Sequence, residues 1–324
     1  MDTTGSTQQT HEIVGRFAPT PSGRMHLGNA FSALVSWLGA RSAGGRIVLR
    51  VEDLEARPGS RELAAQLMDD LAWLGLDWDE GPWYQSERSD VYEAAICRLA
   101  EKGLTYPCFC TRRELHAASA PHASDGTYVY QGTCRDLTPI EVRWRSQVRP
   151  PATRLVVPDQ GDEKGQIAFD DLVFGHHAEE LWRDCGDFLV RRSDGVFAYQ
   201  LAVIVDDALM GVTQVVRGRD LLGSTARQIY LQRLLGFAQP TYAHVPLLVA
   251  PDGRRLAKRD QDLELGELRA RGMRPEELIG RLAAASGLID AYEPVSATDL
   301  LDGFSWERLA EHHDDIVVGP DFLG

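Results

Sequence analysis

Residues 16–29 carry side chains that could hold a phosphate group at the start of a helix. Two prolines and Gly23 interrupt regular structure, and from Ala30 onward apolar residues recur at helical spacing. A helix N-terminus offers free N–H groups and positive partial charge to an anion. His26 can donate a ring N–H to a phosphate oxygen, and Gly28 lets a planar ligand approach the backbone. The segment therefore predicts a phosphate-binding turn.

The run His26-Leu27-Gly28-Asn29 resembles the HIGH signature of class I aminoacyl-tRNA synthetases, and residues 16–29 are similar to its glutamyl-tRNA synthetase version. Further segments resemble that family in the same order along the chain. They are Arg50-Val51-Glu52-Asp53, Phe197-Ala198-Tyr199-Gln200-Leu201-Ala202, Val216-Arg217-Gly218-Arg219-Asp220 and, in the position of the mobile K-M-S-K-R loop, Arg255-Leu256-Ala257-Lys258-Arg259.

This resemblance implies that ATP converts the carboxylate of glutamate to an acyl adenylate. Negative charge then builds on the α-phosphorus and on the leaving pyrophosphate, and fixed positive groups stabilise it. The resemblance assigns catalytic roles to His26 and Lys258, and ATP binding to both of them with Gly28 and Asn29. It also implies Mg²⁺ on the ATP phosphates.

Recognition of glutamate requires a partner for its side-chain carboxylate. A planar guanidinium can bind a carboxylate with two parallel hydrogen bonds. The resemblance carries this role onto Arg16 and Arg217, and it gives Glu52 the substrate ammonium. The other pocket residues that it implies are Ala18, Ser22 and Tyr199.

The loop at residues 255–259 departs from the family pattern at two positions. Arg255 and Ala257 stand where the pattern has lysine and serine, whereas Lys258 stays in register. Because Arg255 keeps the positive charge, we expect activity to be retained without the hydrogen bond of the serine hydroxyl.

Three of the five cysteines lie close together in sequence, as Cys108-Phe109-Cys110 and Cys134. An odd total, in a chain without a secretion signal, argues against a disulfide framework. Zinc prefers thiolate and nitrogen ligands in a tetrahedral array, and three thiolates leave one position open. On general grounds a histidine would fill it. Nearby candidates are His116, His122, Tyr128 and Tyr130.

The C-x-C pair followed by Y-x-x-x-C resembles glutamyl-queuosine tRNA(Asp) synthetases. That pattern implies Tyr130 rather than His122 as the fourth ligand, beside Cys108, Cys110 and Cys134. We expect one structural zinc per chain, because a closed site leaves no water to activate.

The elements around these motifs predict an α/β fold, a Rossmann-type doubly wound parallel sheet in two halves. Residues 13–52 have the pattern strand, loop, helix, strand, and the apolar run 197–207 leads into the second half. Prolines and cysteines after residue 107 indicate an inserted subdomain. Helices are predicted over 60–75, 88–102 and 225–235 and in the polar tail from 262, and a strand over His244–Val249.

We therefore expect four parts. Residues 1–106 form the first half of the nucleotide-binding domain, 107–185 an insert with the zinc site, 186–260 the second half, and 261–324 a short helical C-terminal part.

The chain has 324 residues, 34 Lys and Arg against 48 Asp and Glu, and a net charge of −14. This charge argues against a non-specific grip on nucleic acid, although it permits a local basic groove. Neither a long apolar stretch nor a basic and then apolar N-terminus is present. We expect no membrane helix, no secretion signal and a cytoplasmic location.

Only about 65 residues follow Arg259, which is room for a small helical cap and not for an anticodon-binding domain. With the cysteine pattern, this resembles the glutamyl-queuosine tRNA(Asp) synthetases. The resemblance implies that glutamate is transferred to queuosine, the modified wobble base of tRNA(Asp). The implied partners are ATP, L-glutamate and that tRNA, with no membrane and no obligate protein partner.

Three other interpretations remain open. The chain could be a truncated glutamyl-tRNA synthetase that charges a tRNA 3′ end. It could also be a non-catalytic zinc- and RNA-binding protein on a synthetase fold, or a small-molecule adenylyltransferase with a HIGH-type nucleotide site.

Overall fold

The computed structural model describes residues 12–55, 58–111, 113–114, 129–130, 132–254, 264–319 and 322. The strands are β1 (Val14–Phe17), β2 (Arg46–Val51), β3 (Glu80–Tyr84), β4 (Thr105–Cys108), β5 (Ala152–Leu155), β6 (Gln166–Asp171), β7 (Gly175–Glu180), β8 (Phe188–Arg191), β9 (Gln214–Gly218), β10 (Thr241–Val245), β11 (Leu248–Val249) and β12 (Ile316–Val317).

The α-helices are α1 (Leu27–Arg41), α2 (Ser60–Trp73), α3 (Ser89–Glu101), α4 (Pro139–Val148), α5 (Leu181–Asp184), α6 (Tyr199–Leu209), α7 (Thr225–Leu235), α8 (Leu265–Ala270), α9 (Pro275–Ala285) and α10 (Trp306–Glu311). Short 3₁₀ turns cover Gln85–Glu87, Glu163–Gly165, Arg219–Ser224 and Thr298–Leu300. Within the described ranges, none of these helices is long and apolar enough to cross a membrane.

Two groups of parallel strands lie next to each other. β1, β2 and β3 form one parallel sheet in that order, and β6, β10 and β9 form another, with β7 antiparallel to β6 at its edge. Val14 on β1 joins the two groups, because its N–H donates to Thr213 Oγ1 over 2.8 Å and its carbonyl accepts the Thr213 N–H over 3.0 Å. The predicted α/β class with a parallel sheet is confirmed.

Helix α1 packs against β1 and β9 and spans the join. Its apolar residues Phe31, Leu34, Val35 and Leu38 are buried, as the helical spacing predicts. The helix begins at Leu27, directly after the proline-containing turn, so residues 27–29 form its first turn. The N-terminal end of the helix therefore faces the same side as the carboxyl ends of β1 and β9.

Most predicted elements have the expected bounds. Helices α2, α3 and α7 differ from the predictions by two residues or fewer at each end. Helix α7 ends at Gly236, whose φ of 69° is in the left-handed region that favours glycine. The single strand predicted over His244–Val249 is wrong. β10 ends at Val245 and β11 begins at Leu248, because Pro246 has no N–H to continue a ladder.

A third sheet carries the cysteine-containing segment. β4, β5 and β8 are antiparallel, and β4 ends at Cys108. Beyond residue 264 the described chain contains α8, α9 and α10, and also β12, which pairs in parallel with β11. The C-terminal part is therefore tied by a strand pair to the segment that precedes residue 250.

Candidate active site

One cavity of about 630 Å³ opens where the parallel strands end and α1 begins. Almost all residues with predicted substrate roles line it. They are Arg16, Ala18, Ser22, His26, Gly28, Asn29, Glu52, Tyr199 and Arg217. Lys258, with the rest of the K-M-S-K-R-like loop, lies outside the described residues.

The sheet explains why distant residues meet here. Arg16 lies near the end of β1, Glu52 directly after β2, and Arg217 near the end of β9. Ligands of open α/β sheets bind outside the carboxyl ends of the strands. Tyr199 enters the cavity from the first residue of α6.

The turn that carries His26 is anchored from two sides. The Met25 N–H donates to Asp70 Oδ2 over 2.8 Å, and Arg24 Nη1 donates to Asp70 Oδ1 over 2.6 Å. On the other side, the Leu265 N–H donates to the Met25 carbonyl over 2.9 Å. His26 Nε2 lies 3.7 Å from Glu264 Oε1. The turn is thus fixed to α2 and to the chain that follows residue 263.

Space for a ligand lies beside the first turn of α1. A Cβ added to Gly28 would meet nothing within 4 Å. The residue before the helix, His26, has extended backbone angles and makes no side-chain capping bond. This open face, next to the positive end of the helix dipole, suits a phosphate.

Arg217 is 5% exposed, and its hydrogen bonds go to neutral acceptors within the described chain. Nε donates to His244 Nε2 over 3.0 Å, and Nη1 donates to Gln228 Oε1 over 2.7 Å. Nη2 donates to Thr225 Oγ1 over 2.8 Å and to the Leu221 carbonyl over 3.3 Å. Because none of these acceptors is charged, the buried guanidinium keeps its full positive charge for a ligand.

The structure does not support two parallel hydrogen bonds from Arg217 to a carboxylate. A guanidinium has five N–H groups, and four of them have the protein partners above. One hydrogen on Nη1 remains, so Arg217 can offer one hydrogen bond together with its charge.

Arg16 is 4% exposed and lies near Arg217 on the floor of the cavity. Nη1 donates to the Val216 carbonyl over 2.5 Å, while Nε is buried and has no hydrogen-bond partner among the described residues. Burial lowers the pKa of Arg16, and the carboxylate of Asp207 opposes that effect. A bound anion in the cavity would offset the free-energy cost of burying the charge of Arg16.

Glu52 faces the guanidinium of Arg50, with Oε1 3.2 Å from Nη2. Burial raises the pKa of Glu52, and the Arg50 and Arg16 guanidiniums oppose that effect. Burial also raises the pKa of the Tyr199 hydroxyl, so this group stays protonated and can donate. The cavity therefore combines a carboxylate, a phenol and two guanidiniums.

Sequence reasoning did not identify His244 and Asp171 as site residues. His244 is the register partner of Arg217 in the parallel pair β10–β9, and its Nδ1 lies 2.6 Å from Asp171 Oδ2. Burial lowers the pKa of His244 to about 4, and Arg217 adds to the effect. The sequence contains no local signal for this contact, because strand register is set by the folded sheet.

The cysteine cluster is assembled as the spacing predicts. The Sγ atoms of Cys108, Cys110 and Cys134 lie within 4.8 Å of one another, and those of Cys110 and Cys134 are 3.6 Å apart. Tyr130 Oη lies 3.5 Å from the Sγ of Cys108 and 3.5 Å from that of Cys110. Zn–S bonds of about 2.3 Å in a tetrahedron put sulfurs about 3.8 Å apart. The donor set therefore fits a zinc ion, with Tyr130 in reach; His122 lies outside the described residues.

Arg154, which the sequence analysis did not single out, lies against this cluster. Its Nε donates to Cys108 Sγ over 3.3 Å, and its guanidinium stacks 3.8 Å from the centre of the Tyr130 ring. Burial disfavours the Cys108 thiolate, but the contacts with Tyr130 and Arg154 outweigh burial and lower its pKa. Burial raises the pKa of Cys110 to about 12. A cation bound there would favour the thiolate.

Comparison with known proteins agrees with this geometry. The family described as tRNA synthetases class I (E and Q), catalytic domain, matches residues 12–301. The chain is 50% identical over 309 residues to a glutamyl-Q tRNA(Asp) synthetase of Symbiobacterium thermophilum, which covers 92% of this chain and 94% of that protein. It is 49% identical over 321 residues to the protein of the same name from Nitratidesulfovibrio vulgaris, covering 96% and 97%.

A solved structure with a similar fold is a glutamate tRNA ligase from Elizabethkingia meningosepticum, in complex with its amino acid. The TM-score is 0.79 at 27% sequence identity, and the match covers 96% of this chain and 68% of the ligase. The whole described fold thus has a counterpart in a synthetase.

Proposed function

This chain belongs to the glutamyl-Q tRNA(Asp) synthetases, ligases within the class I tRNA synthetases for glutamate and glutamine, and we propose that it activates L-glutamate with ATP and transfers it to queuosine in tRNA(Asp). In the first step a carboxylate oxygen of glutamate attacks the α-phosphorus, and pyrophosphate leaves. In the second step a queuosine hydroxyl attacks the carbonyl carbon, loses its proton, and AMP leaves.

The observation that carries the proposal is the buried guanidinium of Arg217 with neutral acceptors alone among the described residues. A buried cation without an anionic partner is unfavourable unless a ligand supplies the negative charge. The side-chain carboxylate of glutamate would supply it, with Arg16 as the second cation. Glutamine, which has the same length and no charge, would not.

We propose that Glu52 binds the ammonium group of the substrate. Ala18, Ser22 and Tyr199 line the same pocket. A carboxylate 3.2 Å from Arg50 is held in one orientation, so it can meet an ammonium without a cost of ordering. Tyr199 supplies a protonated hydroxyl donor.

We assign the ATP phosphates to the turn around His26, with Gly28 and Asn29 at the start of α1. The open space beside Gly28, at the positive end of the helix dipole, supports this assignment. Lys258 would contact the leaving pyrophosphate, and Mg²⁺ would accompany the phosphates. These groups stabilise the charge that builds as the phosphorus becomes five-coordinate.

We also propose a structural zinc on Cys108, Cys110, Cys134 and Tyr130, which would tie β4 to the following segment. We retain the four-part division proposed from sequence, with this zinc in the 107–185 insert. We also propose a cytoplasmic location.

The transfer to queuosine rests on the relatives that carry this activity in their names and match this chain over 94% and 97% of their length. The alternative is transfer to a tRNA 3′ end, since glutamate tRNA ligases share the fold. The acceptor therefore needs a direct test.

The experiment measures labelled glutamate on tRNA(Asp) that carries or lacks queuosine, each with an intact or a periodate-oxidised 3′ end. Because periodate also cleaves the queuosine cis-diol, a parallel arm blocks the 3′ end with a 2′,3′-dideoxyadenosine terminus, which lacks both acceptor hydroxyls. Label on the queuosine tRNA with a blocked 3′ end supports the proposal. Equal label on both unblocked tRNAs, and none on the blocked one, would reject it in favour of 3′ charging.

A further inference from the structure

We propose that His244, fixed by Asp171, is a positioning residue that orients Arg217 while leaving its charge for the substrate carboxylate. The inference rests on the proposed function, because it assumes that Arg217 binds the side chain of glutamate. It extends that function by identifying how the pocket selects an anionic side chain.

The hydrogen bonds define the state of the imidazole. Arg217 Nε has a hydrogen and no lone pair to offer, so His244 Nε2 must accept the bond over 3.0 Å. The ring proton is then on Nδ1, which donates to Asp171 Oδ2 over 2.6 Å. His244 is therefore neutral, with one tautomer selected by its two partners.

Asp171 is a rigid support for this ring. Its Oδ1 accepts the N–H groups of Val173 and Phe174, each over 3.0 Å, and the carboxylate also accepts the His244 N–H over 3.1 Å. Asp171 and His244 are 5% and 0% exposed, so water does not compete for these bonds. The imidazole has little freedom to turn away from Arg217.

The imidazole also separates two opposite charges. A carboxylate in direct contact with Arg217 would neutralise it and weaken its attraction for a substrate anion. The neutral ring accepts the Nε hydrogen without cancelling the charge. Gln228 and Thr225, both neutral, accept other hydrogens in the same way.

Orientation matters because bonds to described residues use four of the five N–H groups of Arg217, which leaves one, on Nη1. A rotation of the guanidinium about its long axis would aim this hydrogen away from the cavity. Loss of the His244 acceptor removes one of the four hydrogen bonds that resist this rotation, and it is the one on Nε. We therefore expect weaker binding of glutamate with little change at the ATP site.

Two amide variants test the two ring nitrogens of His244 one at a time. In His244→Gln the amide reaches the position of Nε2 and can accept from Arg217. In His244→Asn the amide reaches only the position of Nδ1, so it can contact Asp171 but not Arg217. A purely structural role predicts that Asn, which keeps the Asp171 contact, is tolerated at least as well as Gln.

The measurement is glutamate-dependent ATP–pyrophosphate exchange, with tRNA present. We expect His244→Asn to raise KM for glutamate about tenfold, the usual effect of losing one hydrogen bond to a charged group. KM for ATP should stay within about twofold, and His244→Gln should recover most of the loss. A wild-type KM for glutamate in His244→Asn, or equal damage in both variants, would overturn the inference.

Tyr242→Phe is the matched control, since it removes a buried hydroxyl on the same strand that donates to Gln232, and it keeps the ring, whose centre lies 5.7 Å from the Arg217 guanidinium. If the Asn variant fails to fold, ¹⁵N-histidine NMR of the unmodified chain tests the same claim. We expect a neutral His244 protonated at Nδ1; an Nε2-protonated or charged ring would reject it. If the unmodified chain shows no exchange with glutamate, the proposed function fails instead, whatever the tautomer.

Discussion

Arg16 and Asp207 form a long ion pair, with 3.8 Å between Arg16 Nε and Asp207 Oδ1. The same oxygen lies 2.6 Å from Arg50 Nη1, so Asp207 mainly neutralises Arg50. Arg16 is therefore a buried cation that is only partly compensated, next to Arg217, which has no carboxylate partner in the described chain. The excess of positive charge is located in the part of the cavity to which we assign the side-chain carboxylate of glutamate.

Removal of either charge should weaken glutamate binding strongly. For Arg217→Gln we expect KM for glutamate to rise about a hundredfold, because truncating a buried charge pair costs roughly 2–5 kcal/mol. Arg217→Lys should recover little of this loss, since lysine cannot keep the bonds to Thr225 and Gln228. Steady-state exchange kinetics measure both. The control is Arg183→Gln, an exposed arginine paired with Asp184. An Arg217→Gln enzyme with the KM of this control would contradict the role proposed for Arg217 in binding the side chain of glutamate.

Glu52 should lower the free energy of unfolding at neutral pH, although it is needed to bind the substrate ammonium. Burial raises the pKa of Glu52, which favours its protonated form in the folded state. The contribution of that form to the free energy of unfolding is complete below the ordinary pKa of about 4.3, and it is lost as pH rises through the raised value. Glu52→Gln should therefore be at least as stable as the parent at pH 7.5, with the difference shrinking toward pH 4.5, yet lose activity. Urea unfolding across this range measures the effect, with exposed Glu87→Gln as control. A destabilised Glu52→Gln at pH 7.5 would contradict the expectation.

His244 should make the fold sensitive to acid. Its pKa falls to about 4 by burial, with Asp171 opposing and with Arg217 and His177 adding to the effect. The stability from a neutral ring is complete above the ordinary pKa of about 6.5 and is lost as pH falls through 4. Glutamine does not titrate. Between pH 6.5 and pH 4, the free energy of unfolding of His244→Gln should therefore fall by about 3 kcal/mol less than that of the parent. Exposed His176→Gln is the control. Parallel pH curves for parent and His244→Gln would contradict the prediction, because they would show that folding does not shift the pKa of His244.

The cysteine cluster should bind one zinc per chain. Elemental analysis of purified protein should give about one zinc, and Cys110→Ser should lose it and lower the melting temperature. Cys97→Ser is the matched control, because Cys97 is exposed and outside the cluster. Tyr130→Phe should keep zinc with lower affinity. Metal-free protein with the melting temperature of the untreated chain would contradict a structural role.

The loop at residues 255–259 should act on pyrophosphate and not on glutamate. We expect Lys258→Ala to lower kcat for exchange about a hundredfold or more, as for loss of one group that stabilises transition-state charge, with KM for glutamate unchanged. Ala257→Ser, which restores the hydroxyl of the family pattern, should raise kcat modestly. Exchange by Lys258→Ala at the parental rate would remove the loop from the mechanism.

The local parts of the site follow from sequence. The turn at His26, the helix after it and the closely spaced cysteines depend on residues near one another along the chain, and helical periodicity and turn residues report such structure directly. The predicted bounds of α2, α3 and α7 agree with the fold within two residues for the same reason.

The environment of Arg217 was decided by the tertiary structure alone. His244 is 27 residues from Arg217 along the chain, and Asp171 is 73 residues from His244. The contacts exist because β6, β10 and β9 pair in parallel in one particular register. Sequence identified Arg217 as a candidate site residue, whereas the register of three separated strands determined that His244 and Asp171 lie behind it. Such register depends on packing across the whole sheet and leaves no signature at either residue.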